Sequence, residues 1–311
     1  MYTDPYTEQY ADREGWSHFM TPPEPLPEGR NPADLVTIEV PRRKVNHDEH
    51  AGNRIWNDIA RSINTYPFLT SDQCSPKHYR DVFEFLRLNN GVVRRVAECG
   101  VFHGGMSVLL AGCALAFDLR IDLIDVNPEC LLASYHRIRA TFPEALDRVR
   151  LFWGELPNFV QAVAEDPDFD DAVIHHDGSH TFNVVVRDLS SLYFLRNKLH
   201  AVLIQDTHLR NSDVNNFCFV DAAVAAVFGH DLRYQPIGAV YANTSHPNGY
   251  RRGEQDNVYF VKDRSEGMMI PLAENEFLYP HPNIHVIEDF ILFPTRQAEN
   301  QILHASPETA A

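Results

Sequence analysis

The chain is 311 residues long and has no C-x-x-C pair; its five cysteines, Cys74, Cys99, Cys113, Cys130 and Cys218, are an odd number. Neither a disulfide framework nor a zinc cluster is therefore expected, and the thiols suit a reducing cytoplasm. No apolar run approaches the roughly 20 residues that cross a bilayer, so no membrane partner is expected. The first residues, MYTDPYTEQYADREG, have neither a basic start nor an apolar core, so no signal peptide is expected. Positive charge is scarce: 27 Lys and Arg face 43 Asp and Glu, a formal charge of −16. Such a balance opposes a phosphate backbone, which excludes nucleic acid as the expected partner and favours a small-molecule substrate. There is also no G-x-x-x-x-G-K-[ST] phosphate loop, no G-x-G-x-x-G dinucleotide turn and no internal repeat.

What is present is an alternation of short apolar runs and amphipathic stretches. Residues 1–50 hold seven prolines and ten acidic residues with few aliphatics, and read as an extended or partly ordered arm. Residues 51–92 read as a helical cap or substrate region. Asp72 or Ser71 is a plausible cap before KHYRDVFEFLRLNN, which stops at Gly91. From Val92 the apolar runs are Arg95–Val101, Ile121–Val126, Val149–Trp153, Asp171–His176 and Ala201–Ile204. Helix-like segments near 105–117, 128–141, 157–165, 184–196 and 213–228 separate or follow them. The alternation predicts an α/β fold with a doubly wound parallel sheet. Two later strand-like runs, Leu232–Tyr241 and Asn257–Lys262, predict a closing antiparallel hairpin. The core then spans 93–264, and 265–311 reads as a Pro-rich and polar extension.

Ligands of such sheets bind beyond the carboxyl ends of the strands. The first strand ends VAECGVFHGGMS. Glu98 precedes a turn in which Gly100 permits a sharp reversal and Gly104 a close backbone approach, and Ser107 opens the helix. An acid at this place repels pyrophosphate and suits an ammonium group. The second strand ends in Asp125, 27 residues after Glu98, which reads as a ribose-hydroxyl acceptor or as a helix cap before Pro128. At the third strand end Glu155 reads either as a ligand-facing residue of the strand tip or as a solvated loop carboxylate. The fourth ends HHDGSH, with Asp177 at the tip and His180 three residues on, and the fifth ends QDTH, with Asp206 and Thr207. Carboxylates on adjacent strand tips converge, and hard oxygen ligands of this kind suit Mg²⁺.

The E-x-G-x-x-x-G turn and the later hairpin resemble class I S-adenosylmethionine-dependent methyltransferases. The D-G-x-H block with an acid at the next strand resembles the macrocin- and mycinamicin-type sugar O-methyltransferases over roughly 92–262. That resemblance implies a Rossmann-like seven-stranded sheet of five parallel β-α units plus the hairpin, with a helical N-terminal cap. It implies S-adenosylmethionine held by Glu98, Gly100, Gly104, Ser107, Asp125, Glu155 and Asp177, and Mg²⁺ held by Asp177, Asp206 and Thr207. It makes His180 the general base beside Asp177 and Asp206, acting on a hydroxyl of a sugar or other polyhydroxylated acceptor. Acceptor selection is expected in 51–92 and in the Ala242–Asp256 loop, and a homo-oligomer is expected. Several such relatives carry two consecutive acids at the fifth tip, where this chain has Gln205-Asp206. Three alternatives stay open: a catechol-type enzyme, whose Asp-Asn step here reads Asp206-Thr207; other chemistry with the same cofactor; and a non-catalytic scaffold. A zinc or iron site built on His175, His176, His180 and His208 is a competing reading. His175 and His176 are adjacent on a strand, however, and so must face opposite sides of the sheet.

Overall fold

The computed structural model describes residues 16–38, 40–209, 218–240 and 264–278. Its strands are β1 (His18–Met20), β2 (Arg95–Cys99), β3 (Arg120–Asp125), β4 (Val149–Trp153), β5 (Ala172–His176), β6 (Leu199–Gln205), β7 (Gln235–Val240) and β8 (Ser265–Pro271). Its α-helices are α1 (Arg54–Thr65), α2 (Pro76–Leu88), α3 (Gly105–Phe117), α4 (Pro128–Thr141), α5 (Leu156–Val163), α6 (Phe182–Ser191) and α7 (Val220–Phe228). The eight strands form one sheet in the order β1-β4-β3-β2-β5-β6-β8-β7. β4, β3, β2, β5 and β6 run parallel, while β8 is antiparallel to both β6 and β7. This is the expected α/β doubly wound, Rossmann-like sheet, with an eighth strand added at one edge.

Two expectations need correction. His18–Met20, read as part of an extended or partly ordered arm, form β1 antiparallel to β4, with Phe19 packed edge-on against Phe152. The hairpin's return strand among the described residues is Ser265–Pro271, which had been assigned to the extension. Its place between β6 and β7 makes it a central strand, with Met268 and Ile270 fully buried. Residues 257–262 lie outside the described residues, as does the Ala242–Asp256 loop.

The inner strands are short apolar runs because both sheet faces are covered. On one face α3 carries Val108, Leu109 and Leu110, packed with Trp56 and Ile59 of α1 and Tyr79 and Phe83 of α2. On the other, Phe159 of α5, Val185 and Leu189 of α6 and Val224 of α7 pack against Ala97, Ile174 and Val202. The cap region is thus a structural layer of the sheet. Helix starts follow side-chain capping: the Asn53 amide oxygen accepts from Trp56 N, and Asn127 accepts from Glu129 N ahead of Pro128. The cap of α2 is Ser75, followed by Pro76, and not Asp72 or Ser71.

Asp72 has a different role. It forms a two-pronged pair with Arg137 of α4, at 2.8 and 3.3 Å, and both side chains are buried. Arg137 also donates to the His103 carbonyl at 3.1 Å, so the pair ties the 70–79 segment to the turn after β2.

Candidate functional site

The strand order reverses between β2 and β5. Chain connections from β2 proceed through β3 to β4 on one side, and from β5 to β6 on the other. A crevice opens beyond the carboxyl ends at such a switch point. Glu98 sits there at the end of β2, buried, with its Oε2 accepting a 2.6 Å hydrogen bond from Ser107 Oγ at the start of α3. Burial raises the Glu98 carboxyl well above its usual value despite the Ser107 bond. Gly100 turns the chain with φ +83° and Gly104 caps α3 with φ +75°. Between them Phe102 takes φ +46°, a strained backbone for a bulky residue.

Asp125 at the end of β3 holds this turn. Its Oδ2 accepts from Val101 N at 2.9 Å and Phe102 N at 3.4 Å, and its Oδ1 from Asn127 N at 2.8 Å. The carboxylate therefore braces the glycine turn and the entry to α4 together. Burial lifts its pKa, against the pull of those backbone bonds.

Sequence reasoning passed over His103 inside the same turn. It is 3% exposed, and neither ring nitrogen has a hydrogen-bond partner. Burial, with Arg42 and Arg137 nearby, lowers it to about 4, so it is neutral near pH 7. Unsatisfied buried ring nitrogens in a strained turn at the switch point suit a polar ligand. The histidine was visible in VFHGGMS, but nothing local distinguished it from a spacer.

Glu155 caps α5 in a reciprocal box with Asn158 and pairs with Arg187 of α6 at 2.5 Å. Its carboxylate serves the protein's own scaffold.

Asp177, His180 and Asp206 meet at the tips of β5 and β6. His180 Nε2 stands 3.1 Å from Asp206 Oδ2 and 3.5 Å from Asp177 Oδ1. Both approaches lie off the line of a good N–H···O bond, so the contact is one of charge. Side-chain exposures of 20, 27 and 15% for Asp177, His180 and Asp206 leave the cluster reachable from solvent. Asp206 holds φ +59°, a left-handed backbone that aims its side chain from the strand tip. Burial pulls the imidazole pKa down, but the two carboxylates overcome it and hold His180 well above 6.5. Burial, with the Asp206 charge, lifts Asp177 to about 7.

Two carboxylates beside an imidazole nitrogen with no aligned partner fit a divalent cation, through Asp177 and Asp206. The Thr207 hydroxyl, next along the chain, donates to the Ser265 carbonyl at 3.0 Å, which fastens the strand tip to β8. His175 and His176 do face opposite sides. His175 meets His78 of α2 at 3.2 Å, and His176 meets Asp188 of α6 at 3.2 Å.

At the opposite end of the sheet a cleft of about 770 Å³ opens between Arg94, Arg95, Arg120, Arg148 and Asp168. It lies at the amino ends of the strands, where such sheets do not build their ligand sites.

No family model matches the chain, and no curated protein matches it. Among solved structures it is similar to a human methyltransferase 10 domain containing protein, with 10% identity and a TM-score of 0.36 over 42% of this chain and 65% of that one. It is similar to the O-methyltransferase TomG from Streptomyces achromogenes, involved in tomaymycin synthesis and solved in complex with SAM. The identity is 16% and the TM-score 0.37, over 50% of this chain and 66% of that one. It is also similar to cofactor-bound Rv0187 from MTB, at 14% and 0.42, over 72% and 91%. The match spans just under two thirds of the first two proteins' length. At these identities and scores the likenesses carry no argument about chemistry.

Among the described residues no helix is long and apolar enough to cross a membrane.

Proposed function

We propose that this protein is an S-adenosylmethionine-dependent O-methyltransferase acting on a hydroxyl of a small polyhydroxylated acceptor. The observation that carries this reading is the adjacency of two different sites at one switch point. A glycine turn, braced by Asp125 and lined by Glu98 and His103, abuts the loop that presents Asp177 and His180, with Asp206 beside them. The first set suits a ligand with an ammonium group and ribose hydroxyls. The second suits an oxygen nucleophile that must lose a proton.

The chemistry is an in-line displacement. The acceptor oxygen forms its bond to the methyl carbon as the methyl–sulfur bond breaks, and that electron pair stays on sulfur. The protein's task is to hold oxygen and methyl in line and to take the proton. Asp125 fixes the shape of the turn, and Glu98 supplies a buried carboxyl at the head of α3 that a bound ammonium group would favour in its ionised form. His180 receives the acceptor's proton at Nε2, with Asp177 and Asp206 stabilising the imidazolium that forms. A divalent cation held by Asp177 and Asp206 would neutralise both carboxylates and favour an ionised acceptor oxygen.

The test is transfer of labelled methyl from S-adenosylmethionine to a panel of sugars, macrolides and catechols. Turnover that stops on chelation with EDTA and returns with Mg²⁺ supports the full reading. Turnover unaffected by exhaustive chelation leaves His180 acting without metal, a variant that its direct ion pair with Asp206 favours. Preference for catechols over sugars would move the acceptor class.

A further inference from the structure

Directly beneath the candidate site, on the other face of the sheet, lies a second group of donors. Cys99 ends β2, His176 ends β5 beside it in register, and Asp188 rises from α6. One ligand atom from each lies within 4.8 Å of the others, and all three residues are buried. We propose that Cys99, His176 and Asp188 form a structural site for a thiophilic divalent cation of the Zn²⁺ type, one that anchors the 177–180 loop.

Three observations converge. The donor set of thiol sulfur, imidazole Nε2 and carboxylate oxygen is one that Zn²⁺ takes. His176 Nε2 and Asp188 Oδ2 stand 3.2 Å apart. Bonds of about 2.0–2.1 Å at a tetrahedral angle place two such donors about 3.3 Å apart.

The 177–180 loop packs closely over them. A Cβ added at Gly178 would lie 3.3 Å from Cys99 Sγ and 3.9 Å from His176 Nε2. Only a glycine lets the loop lie this close over the donors.

The charges also close. Asp188 contacts Arg187 at 3.3 Å, and Arg187 pairs with Glu155. Two carboxylates, one guanidinium and a Cys99 thiolate sum to −2, which a divalent ion cancels. With a neutral thiol and no ion, the same group carries −1.

The consequence is positional. Asp177 N donates to the Cys99 carbonyl at 2.8 Å, so an ion on Cys99 and His176 fixes the backbone from which Asp177 and His180 project. C-x-x-C spacing marks only zinc donors that lie close in sequence. These three come from two strands and a helix.

The experiment is titration of the full chain, stripped of metal, with Co²⁺ as a spectroscopic probe. A thiolate-to-cobalt charge-transfer band with tetrahedral visible bands, displaced by Zn²⁺ and absent in Cys99→Ser, is the expected result. It separates this site from Asp177, His180 and Asp206, which offer no sulfur. Co²⁺ binding without a thiolate band, or a band that persists in Cys99→Ser, overturns the proposal. Should Cys99→Ser not fold, Asp188→Asn keeps the sulfur and is expected to weaken Zn²⁺ binding at least about tenfold. Unchanged affinity there also overturns it.

Discussion

Gly100 and Asp177 meet backbone to backbone across the switch point: a Cβ on Gly100 would come within 2.5 Å of the Asp177 carbonyl carbon and 2.6 Å of Gly178 Cα. The turn that faces the proposed cofactor and the loop that carries the proposed base are therefore one packed unit. Neither can shift without the other.

Gly100→Ala is expected to destabilise by at least about 2 kcal/mol, from a left-handed φ imposed on alanine and a collision with backbone that cannot rotate away. Urea unfolding followed by tryptophan fluorescence reads this directly. An unchanged midpoint would show that the turn and the Asp177 loop separate freely.

His180 gives a pH signature. An ordinary histidine titrates near 6.5, but Asp177 and Asp206 hold this imidazole well above that value. In the metal-free protein the rising limb of the rate is therefore expected at more alkaline pH than an ordinary histidine gives. His180→Ala should remove that limb and lower turnover about 10²–10⁴-fold while leaving S-adenosylmethionine affinity nearly intact. The stability contribution has the opposite slope. A raised histidine pKa stabilises fully below the unfolded value near 6.5, and the gain is lost as pH rises through the folded value. A rate limb still present in His180→Ala would assign the proton to another group.

The buried Arg137–Asp72 pair is expected to be the cap's main electrostatic tie. Burial pushes the Asp72 carboxyl up, but the Arg137 guanidinium and hydrogen bonds from Arg137, Val45 N and Thr70 hold it below its ordinary value. A depressed carboxyl stabilises above its unfolded pKa, and the effect fades as pH falls through the folded one. Arg137→Met should cost about 3–5 kcal/mol, because it strands a buried charge, and Asp72→Asn in the same chain should recover part of that. Equal destabilisation by the single and double variants would deny the coupling.

The fold was legible where burial on both faces left a plain apolar run. Val149–Trp153 matches β4 at both ends, and the 128–141 segment is α4. It was not legible at β1, three residues whose pairing depends on an edge supplied from far along the chain. Nor was it legible at SEGMMIP, where Ser265, Glu266 and Gly267 mask a strand. Glu266 is buried there because it accepts from Ser75 N at 2.7 Å and from the Ser75 hydroxyl, and the sequence cannot show this. The strand-tip residues were readable because a parallel sheet places its ligand-facing groups at predictable positions. The contacts of the Thr207 hydroxyl with β8 and of the Glu155 carboxylate with Arg187 reach distant segments, which the sequence does not show. Asp72, read as a helix cap, needed a partner 65 residues away.

The central claim is that the Glu98–Gly104 turn with Asp125 holds S-adenosylmethionine. Calorimetric titration of the folded protein with S-adenosylmethionine tests it most directly. The account predicts one-to-one binding, weakened by about 1–3 kcal/mol in Asp125→Ala through loss of that hydrogen-bond acceptor. A folded wild-type protein that takes up neither S-adenosylmethionine nor its demethylated product would contradict it.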